Sequence, residues 1–173
     1  MSEGPRVVLV GMMGSGKSTI GRLIADATGW PAYDNDALLH EAAGLTAFEI
    51  LERRGEAALR VAEGEALERG LAVPPPCIVD AAAGTIESPR IHGLLLDELV
   101  VWLRASPETL YLRSIGAAHR PWLDRGEDWF RSTACARDPL YESVADVVVD
   151  TDRQPPADAA TQILERIRQM EPA

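Results

Sequence analysis

The only lysine in this 173-residue chain, Lys17, lies in the segment Gly11-Met12-Met13-Gly14-Ser15-Gly16-Lys17-Ser18. The segment has the spacing G-x-x-x-x-G-K-[ST], typical of a glycine-rich loop whose backbone N–H groups surround phosphate oxygens. The ammonium group of Lys17 would reach the β- and γ-phosphates of a nucleotide, and the hydroxyl of Ser18 would bind Mg²⁺. The sequence therefore predicts phosphate contacts from six consecutive residues, which are Gly14, Ser15, Gly16, Lys17, Ser18 and Thr19.

The residues around this loop have the order that such a loop requires. The apolar, β-branched run at residues 6–10 predicts a buried strand before it, and helical spacing over residues 18–27 predicts a helix after it. Gly29 follows that helix, where a glycine that ends a helix is expected. The alternative is a chance glycine-rich turn, but its position between a strand and a helix favours phosphate binding.

Length, composition and charge restrict the classes of function. At 173 residues and 46% hydrophobic content, the chain is predicted to form one domain, residues 1–173. The formal net charge of −10 argues against nucleic acid or an anionic membrane as a partner. An anionic substrate would then need locally concentrated arginines. Without an apolar run of membrane-spanning length or a signal-peptide core at residues 1–6, we expect a cytoplasmic protein. The size and acidic charge of the chain favour a monomer.

Apolar runs alternate with helical patterns along the chain. Strands are predicted at residues 6–10, 30–33, 77–80, 99–103 and 145–150. Helices are predicted at residues 18–27, 36–43, 46–55 and 56–69, from Ser88, at 106–114, and around Ile163. A further helix contains Trp129 and Phe130 and is expected to end before Arg137. This alternation predicts an α/β fold with a parallel sheet covered on both faces.

Three of the polar or glycine positions fall where predicted strands end. Gly11, Asp34 and Asp80 each follow or close a strand. Because ligands of open parallel sheets bind at the carboxyl ends of the strands, these residues are expected to lie at one site.

Beyond the phosphate loop, the chain resembles the shikimate kinase family from Val7 to about Thr151. The resemblance rests on motifs in a specific order: Asp34-Asn35-Asp36, Gly55-Glu56 followed by Arg60, the loop after the third strand, Arg120-Pro121, and Arg137-x-Pro139-x-Tyr141. It implies a three-layer P-loop kinase fold with a five-stranded parallel sheet. It also implies substrate-binding helices at about 36–71, a lid at about 115–126, and ATP with Mg²⁺ as the nucleotide and metal.

The resemblance implies roles for individual residues. Asp36 would bind substrate hydroxyls and position or deprotonate the attacking oxygen, while Arg60 and Arg137 would hold the substrate carboxylate. Ala83 and Gly84 would line the substrate site. Lys17 and Arg120 would stabilise the transferring phosphoryl group, and Asp34 would hold Mg²⁺ through water. Arg113 would stack on adenine, and Arg153 with Pro155 would line the far edge of that site.

Structural alternatives exist for several of these residues. Asp34 and Asp36 could cap the next helix. Arg60 could form a surface pair with Glu56 and Glu63, which lie at i−4 and i+3, although Glu63 could equally hold Arg60 in its working rotamer. Arg137 could be an ordinary arginine at a helix end.

The chain departs from the family pattern at the substrate site. Ala82-Ala83-Gly84 stands where the family has three glycines, so a positive φ there would strain alanine by about 1 kcal/mol or more and extra methyl groups could narrow the site. Leu51 and Leu59 stand near family phenylalanines, which predicts a less aromatic site. Trp122 replaces an aliphatic residue and predicts a bulkier lid.

Asp80 is another departure, because the family more often has a small hydroxyl residue there. An apolar strand ending in Asp is typical of the acid that holds the Mg²⁺ shell in phosphate-loop enzymes. We therefore hypothesise that Asp80 joins Asp34 and Ser18 around the metal. The alternative is a carboxylate that caps the following loop.

Three functions are consistent with these residues. The first is ATP-dependent phosphorylation of shikimate, and the second is the same chemistry on another carboxylated cyclitol or polyol. The third is a nucleotide-binding regulatory module without transfer activity, which the presence of Lys17, Ser18, Asp36 and Arg120 argues against.

Overall fold

The computed structural model describes residues 4–116 and 122–170, with only the backbone of Leu123. Within these residues the strands are β1 (Arg6–Val10), β2 (Ala32–Tyr33), β3 (Cys77–Asp80), β4 (Leu99–Arg104) and β5 (Val147–Asp150). The helices are α1 (Lys17–Thr28), α2 (Asn35–Ala43), α3 (Ala47–Leu71), α4 (Pro89–Leu95), α5 (Pro107–Ser114), α6 (Gly126–Val144) and α7 (Pro156–Met170). Two short 3₁₀ turns cover Ala83–Glu87 and Leu123–Arg125.

The five strands form one sheet in the order β2-β3-β1-β4-β5, and every pairing is parallel. The predicted parallel sheet is therefore confirmed. Strand β1 lies at the centre, with Val8 opposite Val79 on one side and Val100 on the other. Its carboxyl end continues directly into the phosphate loop, which places that loop in the middle of one edge of the sheet.

Side chains of β1 alternate between two hydrophobic cores. Val8 and Val10 pack with residues of α3 to α6 on one face of the sheet. Val7 and Leu9 pack with residues of α1 and α7 on the other. The result is the three-layer arrangement that the sequence predicted, because a strand with apolar residues on both faces must be covered twice.

The helices after β2 begin and end at the predicted signals. Asp34 caps α2 through its side chain, and Gly44 closes it in a left-handed conformation. Thr46 and Glu49 form a complete capping box at the start of α3. Gly55, with φ 83°, interrupts the helical backbone of α3 and separates the two helices predicted there. This kink turns the second half of α3, which carries Arg60, along the edge of the cavity described below.

The prediction that a helix ends before Arg137 is wrong. Helix α6 continues through Pro139 to Val144, and Arg137 lies in its interior. A proline inside a helix costs about 3 kcal/mol. Here Pro139 faces solvent, while Tyr141 beyond it is fully buried and stacks on Trp102 with ring centroids 5.8 Å apart. Burial of this aromatic residue offsets the lost hydrogen bond.

Across the described parts of the chain, residues 4–116 and 122–170, we find no helix with both the length and the apolar character needed to cross a membrane.

Candidate active site

A cavity of about 430 Å³ opens at the carboxyl ends of the central strands. Its walls come from the phosphate loop, the start of α2, the kinked half of α3, the turn after β3, and α6. Almost all the described residues predicted to act in binding or catalysis line it. The exceptions are Arg153 and Pro155, which are exposed and are not among the lining residues.

The phosphate loop has the backbone that the glycine spacing predicted. Gly14 adopts φ 80°, and a Cβ at this position would lie 2.5 Å from the carbonyl oxygen of Leu110. Only glycine fits this turn, because the backbone is left-handed and packed against another helix. The ammonium of Lys17 donates to the carbonyl oxygens of Gly11 at 2.9 Å and Met12 at 3.1 Å. Lys17 thus lies across the loop at the start of α1, where phosphate groups are favoured.

The three residues predicted to bind a metal lie together. The hydroxyl oxygen of Ser18 is 3.0 Å from Oδ2 of Asp34 and 2.9 Å from Oδ2 of Asp80. Burial raises the pKa of Asp80 to about 6, while Lys17 opposes the shift and Asp34 adds to it. Two carboxylates and a hydroxyl form the hard oxygen donor set that Mg²⁺ prefers. A cation here would favour the ionised form of both acids.

The described residues contain no group of three or more His, Cys, Asp or Glu side chains that could hold a metal by themselves. In nucleotide enzymes Mg²⁺ is usually bound by one or two carboxylates, water and the phosphates of the substrate.

Asp34 and Asp36 have different surroundings. Oδ1 of Asp34 accepts a hydrogen bond from the backbone N–H of Ala37 at 3.1 Å and so caps α2, while Oδ2 faces Ser18. The capping alternative is therefore confirmed for Asp34, while its role at a metal stays a prediction. Asp36 is exposed and lines the cavity.

Asp36 also affects the pKa values of two buried carboxylates, those of Asp80 and Glu63. Burial is the main cause that raises the pKa of Asp80 and of Glu63, and the charge of Asp36 adds to both shifts. Asp36 thus lies close enough to both buried carboxylates to act on them through its charge.

The guanidinium of Arg60 is held from several directions. Its Nη1 donates to Oε2 of Glu63 at 2.8 Å, and Oε1 of Glu56 lies 3.5 Å from Nη2, contacts that both the pairing alternative and the positioning alternative expect. One face lies 5.3 Å from the ring centroid of Trp122. On another side it packs so closely on Gly84 that a Cβ at residue 84 would overlap Nη1 and Cζ. Gly84 is therefore required for the close approach of Arg60, and not for an unusual φ.

Arg137 and Tyr141 are four residues apart on α6 and hold the two ends of the turn at Ala83–Glu87. Nε of Arg137, which is only 3% exposed, donates to Oε1 of Glu87 at 2.9 Å. The hydroxyl of Tyr141 donates to the carbonyl oxygen of Ala83 at 2.8 Å. Burial raises the pKa of Tyr141, so its hydroxyl remains a donor. The spacing R-x-P-x-Y thus fixes the backbone that lines the cavity.

The expected strain at Ala82 and Ala83 is absent. Ala82 has φ −60°, and among the described non-glycine residues Trp122 alone has a positive φ. Alanine fits because the loop starts a 3₁₀ turn in ordinary backbone, and its methyl groups line the cavity.

The two leucines behind the prediction of a less aromatic site do not line the cavity. Leu59 is buried in the cluster between α2 and α3 and, like Leu51, is not among the cavity-lining residues. Trp122 is 5% exposed, lines the cavity and stacks on Trp129 at 5.7 Å. Trp122, which the sequence predicted to make the lid bulkier, therefore forms part of the cavity wall.

The predicted adenine side of the cavity is only partly as expected. Arg113 lines it, and its guanidinium donates to the hydroxyl of Thr151 at 3.2 Å and to the carbonyl oxygen of Thr151 at 2.7 Å. Gln154 and Pro156 line the edge predicted for Arg153 and Pro155. Arg120 and Pro121 lie outside the described residues.

A family model described as shikimate kinase matches residues 13–168 of the chain. The chain belongs to the shikimate kinase family. The shikimate kinase of Symbiobacterium thermophilum is 36% identical over 167 residues, covering 94% of this chain and 96% of the relative. That of Mycobacterium ulcerans is 37% identical over 166 residues, covering 94% and 89%. The solved structure of shikimate kinase from Acinetobacter baumannii in complex with shikimate has a TM-score of 0.90 and 28% identity, covering 98% of this chain and 96% of that chain.

Membership of the shikimate kinase family confirms the resemblance and the fold predicted from it. Sequence reasoning missed Glu87, which contacts both Arg60 and Arg137. Glu87 lies too far along the chain from both arginines for a helical or strand spacing to indicate the contacts. They arise only when α3, α6 and the turn after β3 pack together.

In this shikimate kinase family member, Gly84→Ala is expected to raise the KM for the carboxylated substrate at least about tenfold, because the new methyl group displaces the guanidinium of Arg60. Stability should change little, since Gly84 has no positive φ and the atoms that must move end a flexible side chain. Steady-state kinetics with the acid varied at saturating ATP measure the change. Gly93→Ala is the matched control, because a Cβ there meets nothing within 4 Å. Equal KM values in the two variants would contradict the contact.

Proposed function

We propose that this protein catalyses transfer of the γ-phosphoryl group of ATP to a hydroxyl of shikimate. The observation that carries the proposal is one cavity that joins the phosphate loop, Asp36 and two arginines. A planar guanidinium matches a carboxylate with two parallel donors, so Arg60 and Arg137 suit an acid. Membership of the shikimate kinase family supports a small-molecule kinase with a hydroxyl acceptor.

The reaction needs a placed nucleophile and compensation of charge on the transferring group. The backbone of the loop at Gly14–Gly16 and the ammonium of Lys17 would hold the phosphates. Asp36 would orient the acceptor hydroxyl and take its proton, while the arginines hold the carboxylate end of the substrate. Arg120 is proposed to contact the phosphoryl group, and Arg113 the adenine. Exclusion of water would prevent hydrolysis of ATP as a competing reaction.

Mg²⁺ is proposed to bind near Ser18, Asp34 and Asp80, where it would neutralise charge on the β- and γ-phosphates. The short distances from the Ser18 hydroxyl to both carboxylates support this donor set.

Asp80→Asn is therefore expected to raise the Mg²⁺ concentration for half-maximal activity about tenfold or more, because the amide cannot supply the charge of the carboxylate. The measurement is a Mg²⁺ titration of turnover at fixed ATP. Asp97→Asn serves as the control, since Asp97 is an exposed acid outside the cavity. An unchanged Mg²⁺ dependence in the Asp80 variant would remove Asp80 from the metal site.

The cavity wall includes the methyl groups of Ala82 and Ala83 and the ring of Trp122. Because these groups shape the space around the acceptor, a related carboxylated acid is the specific alternative to shikimate. A coupled ADP-release assay with shikimate, quinate, gluconate and a reaction without acceptor separates the two proposals. We expect saturable turnover with shikimate and little with the others. Turnover of another acid but not shikimate would assign specificity to these wall residues instead.

We further propose that the chain acts as a single-domain cytoplasmic monomer without a nucleic-acid or membrane partner. The net charge of −10 supports the absence of a nucleic-acid or anionic-membrane partner, because it disfavours association with other polyanions.

A further inference from the structure

The carboxylate of Glu87 lies within ion-pair distance of both arginines of the cavity. Nε of Arg137 donates to its Oε1 at 2.9 Å, and Nε of Arg60 lies 3.9 Å from its Oε2. The two arginines come from α6 and α3, so they share no backbone element. Glu87, at the end of the turn Ala83–Glu87, links the two guanidinium groups directly.

Glu87 reaches these arginines from outside the proposed substrate site. It lines a second cavity, of about 440 Å³, and is not among the residues that line the first. Arg60 and Gly84 line both cavities and form the partition between them. Glu87 engages the Nε of Arg137 and lies nearest the Nε of Arg60. The terminal nitrogens of Arg60 pair with Glu63 and Glu56, and Nη1 of Arg137 lies 3.5 Å from Sδ of Met12.

The contact with Arg137 is the stronger of the two. Arg137 is 3% exposed, and a buried cation without a paired anion is strongly destabilised. In residues 4–116 and 122–170, Glu87 is the acid found in an ion pair with Arg137. The side chain of Glu87 is 46% exposed, so it keeps contact with water while it pairs with the buried guanidinium.

The turn that carries Glu87 is itself fixed. The hydroxyl of Tyr141 holds Ala83 at the start of the turn, and Thr85 donates its hydroxyl to the carbonyl oxygen of Ala82 at 2.7 Å. The position of the carboxylate is therefore set by the same backbone that lines the substrate cavity.

We propose that Glu87 is a positioning residue that sets the orientation and separation of Arg60 and Arg137 for the substrate carboxylate. This inference rests on the proposed function. Glu87 does not line the proposed substrate cavity, so it would act only through the two guanidinium groups.

Glu87→Ala is expected to raise the KM for shikimate about tenfold, with kcat and the KM for ATP within about twofold of the wild-type values. Glu87→Gln keeps an oxygen that accepts from Nε of Arg137, so its KM for shikimate should stay within about threefold of wild type. Both are measured by ADP release with shikimate varied at saturating ATP. Glu68→Ala is the matched control, because Glu68 lines the same second cavity but pairs with Arg90. Its kinetics should be unchanged.

The design separates orientation from simple charge. If Glu87 mainly repelled the anionic substrate, both variants would lower the KM, and that result would overturn the inference. A wild-type KM in Glu87→Ala, or an equal rise in both variants, would also overturn it. A wild-type protein that does not turn over shikimate overturns the proposed function and this inference together, whereas an active wild type with an unaffected Glu87→Ala variant overturns the inference alone.

Discussion

Replacing Lys17 with alanine is expected to lower turnover by about 10³-fold, because the variant loses the charged donor that would follow the β- and γ-phosphates through transfer. Lys17 is the only lysine of the chain, and its ammonium donates to the carbonyl oxygens of Gly11 and Met12 in the loop. No other lysine can replace it. Single-turnover measurements with saturating ATP and acceptor separate this loss from weaker ATP binding.

Arg22→Ala is the matched control for Lys17→Ala. It removes one positive charge from the same helix, α1, at an exposed position outside the cavity. Its turnover should be close to that of the wild type. Retention of more than about a tenth of wild-type turnover in Lys17→Ala would contradict the role assigned to the loop.

Asp36→Asn is expected to lower kcat by about 10² to 10⁴, the usual contribution of a positioned base. The amide has nearly the shape of the carboxylate but cannot accept the proton of the acceptor hydroxyl. ATP affinity should change little, since the loop and Lys17 carry the proposed phosphate contacts. Steady-state kinetics combined with a direct ATP-binding measurement test both statements.

The control for Asp36→Asn is Glu41→Gln, which removes one exposed negative charge from the same helix, α2. A similar loss in both variants would show that the charge of α2, and not the position of Asp36, affects the rate. Near-wild-type kcat in Asp36→Asn would exclude it as the base.

The parts of the site that the sequence predicted are those encoded locally. The phosphate loop needs only eight consecutive residues, and its glycines take the left-handed backbone that the spacing requires. The cap at Asp34, the capping box at Thr46 and the kink at Gly55 are likewise short-range signals. The sequence predicts that Asp80 joins Asp34 and Ser18 because an apolar strand that ends in Asp is typical of the acid near the metal of phosphate-loop enzymes, and the structure places the three side chains together.

What the sequence did not predict depends on packing between distant elements. The continuation of α6 past Pro139 follows from burial of Tyr141 against Trp102. The need for Gly84 follows from the position of Arg60 on another element, not from the backbone of the loop itself. Glu87 has no sequence signal, since its partners lie 27 and 50 positions away. Trp122 faces the cavity because its ring stacks on Trp129 and beside Arg60.

The measurement that most directly tests the central claim is phosphorus NMR of the purified protein with ATP, Mg²⁺ and shikimate. We expect a new phosphomonoester signal that grows in equal amount to the ADP formed and is missing when shikimate is left out. ADP and inorganic phosphate without a phosphomonoester would contradict phosphoryl transfer to the acid, and an unchanged ATP spectrum would contradict catalysis altogether.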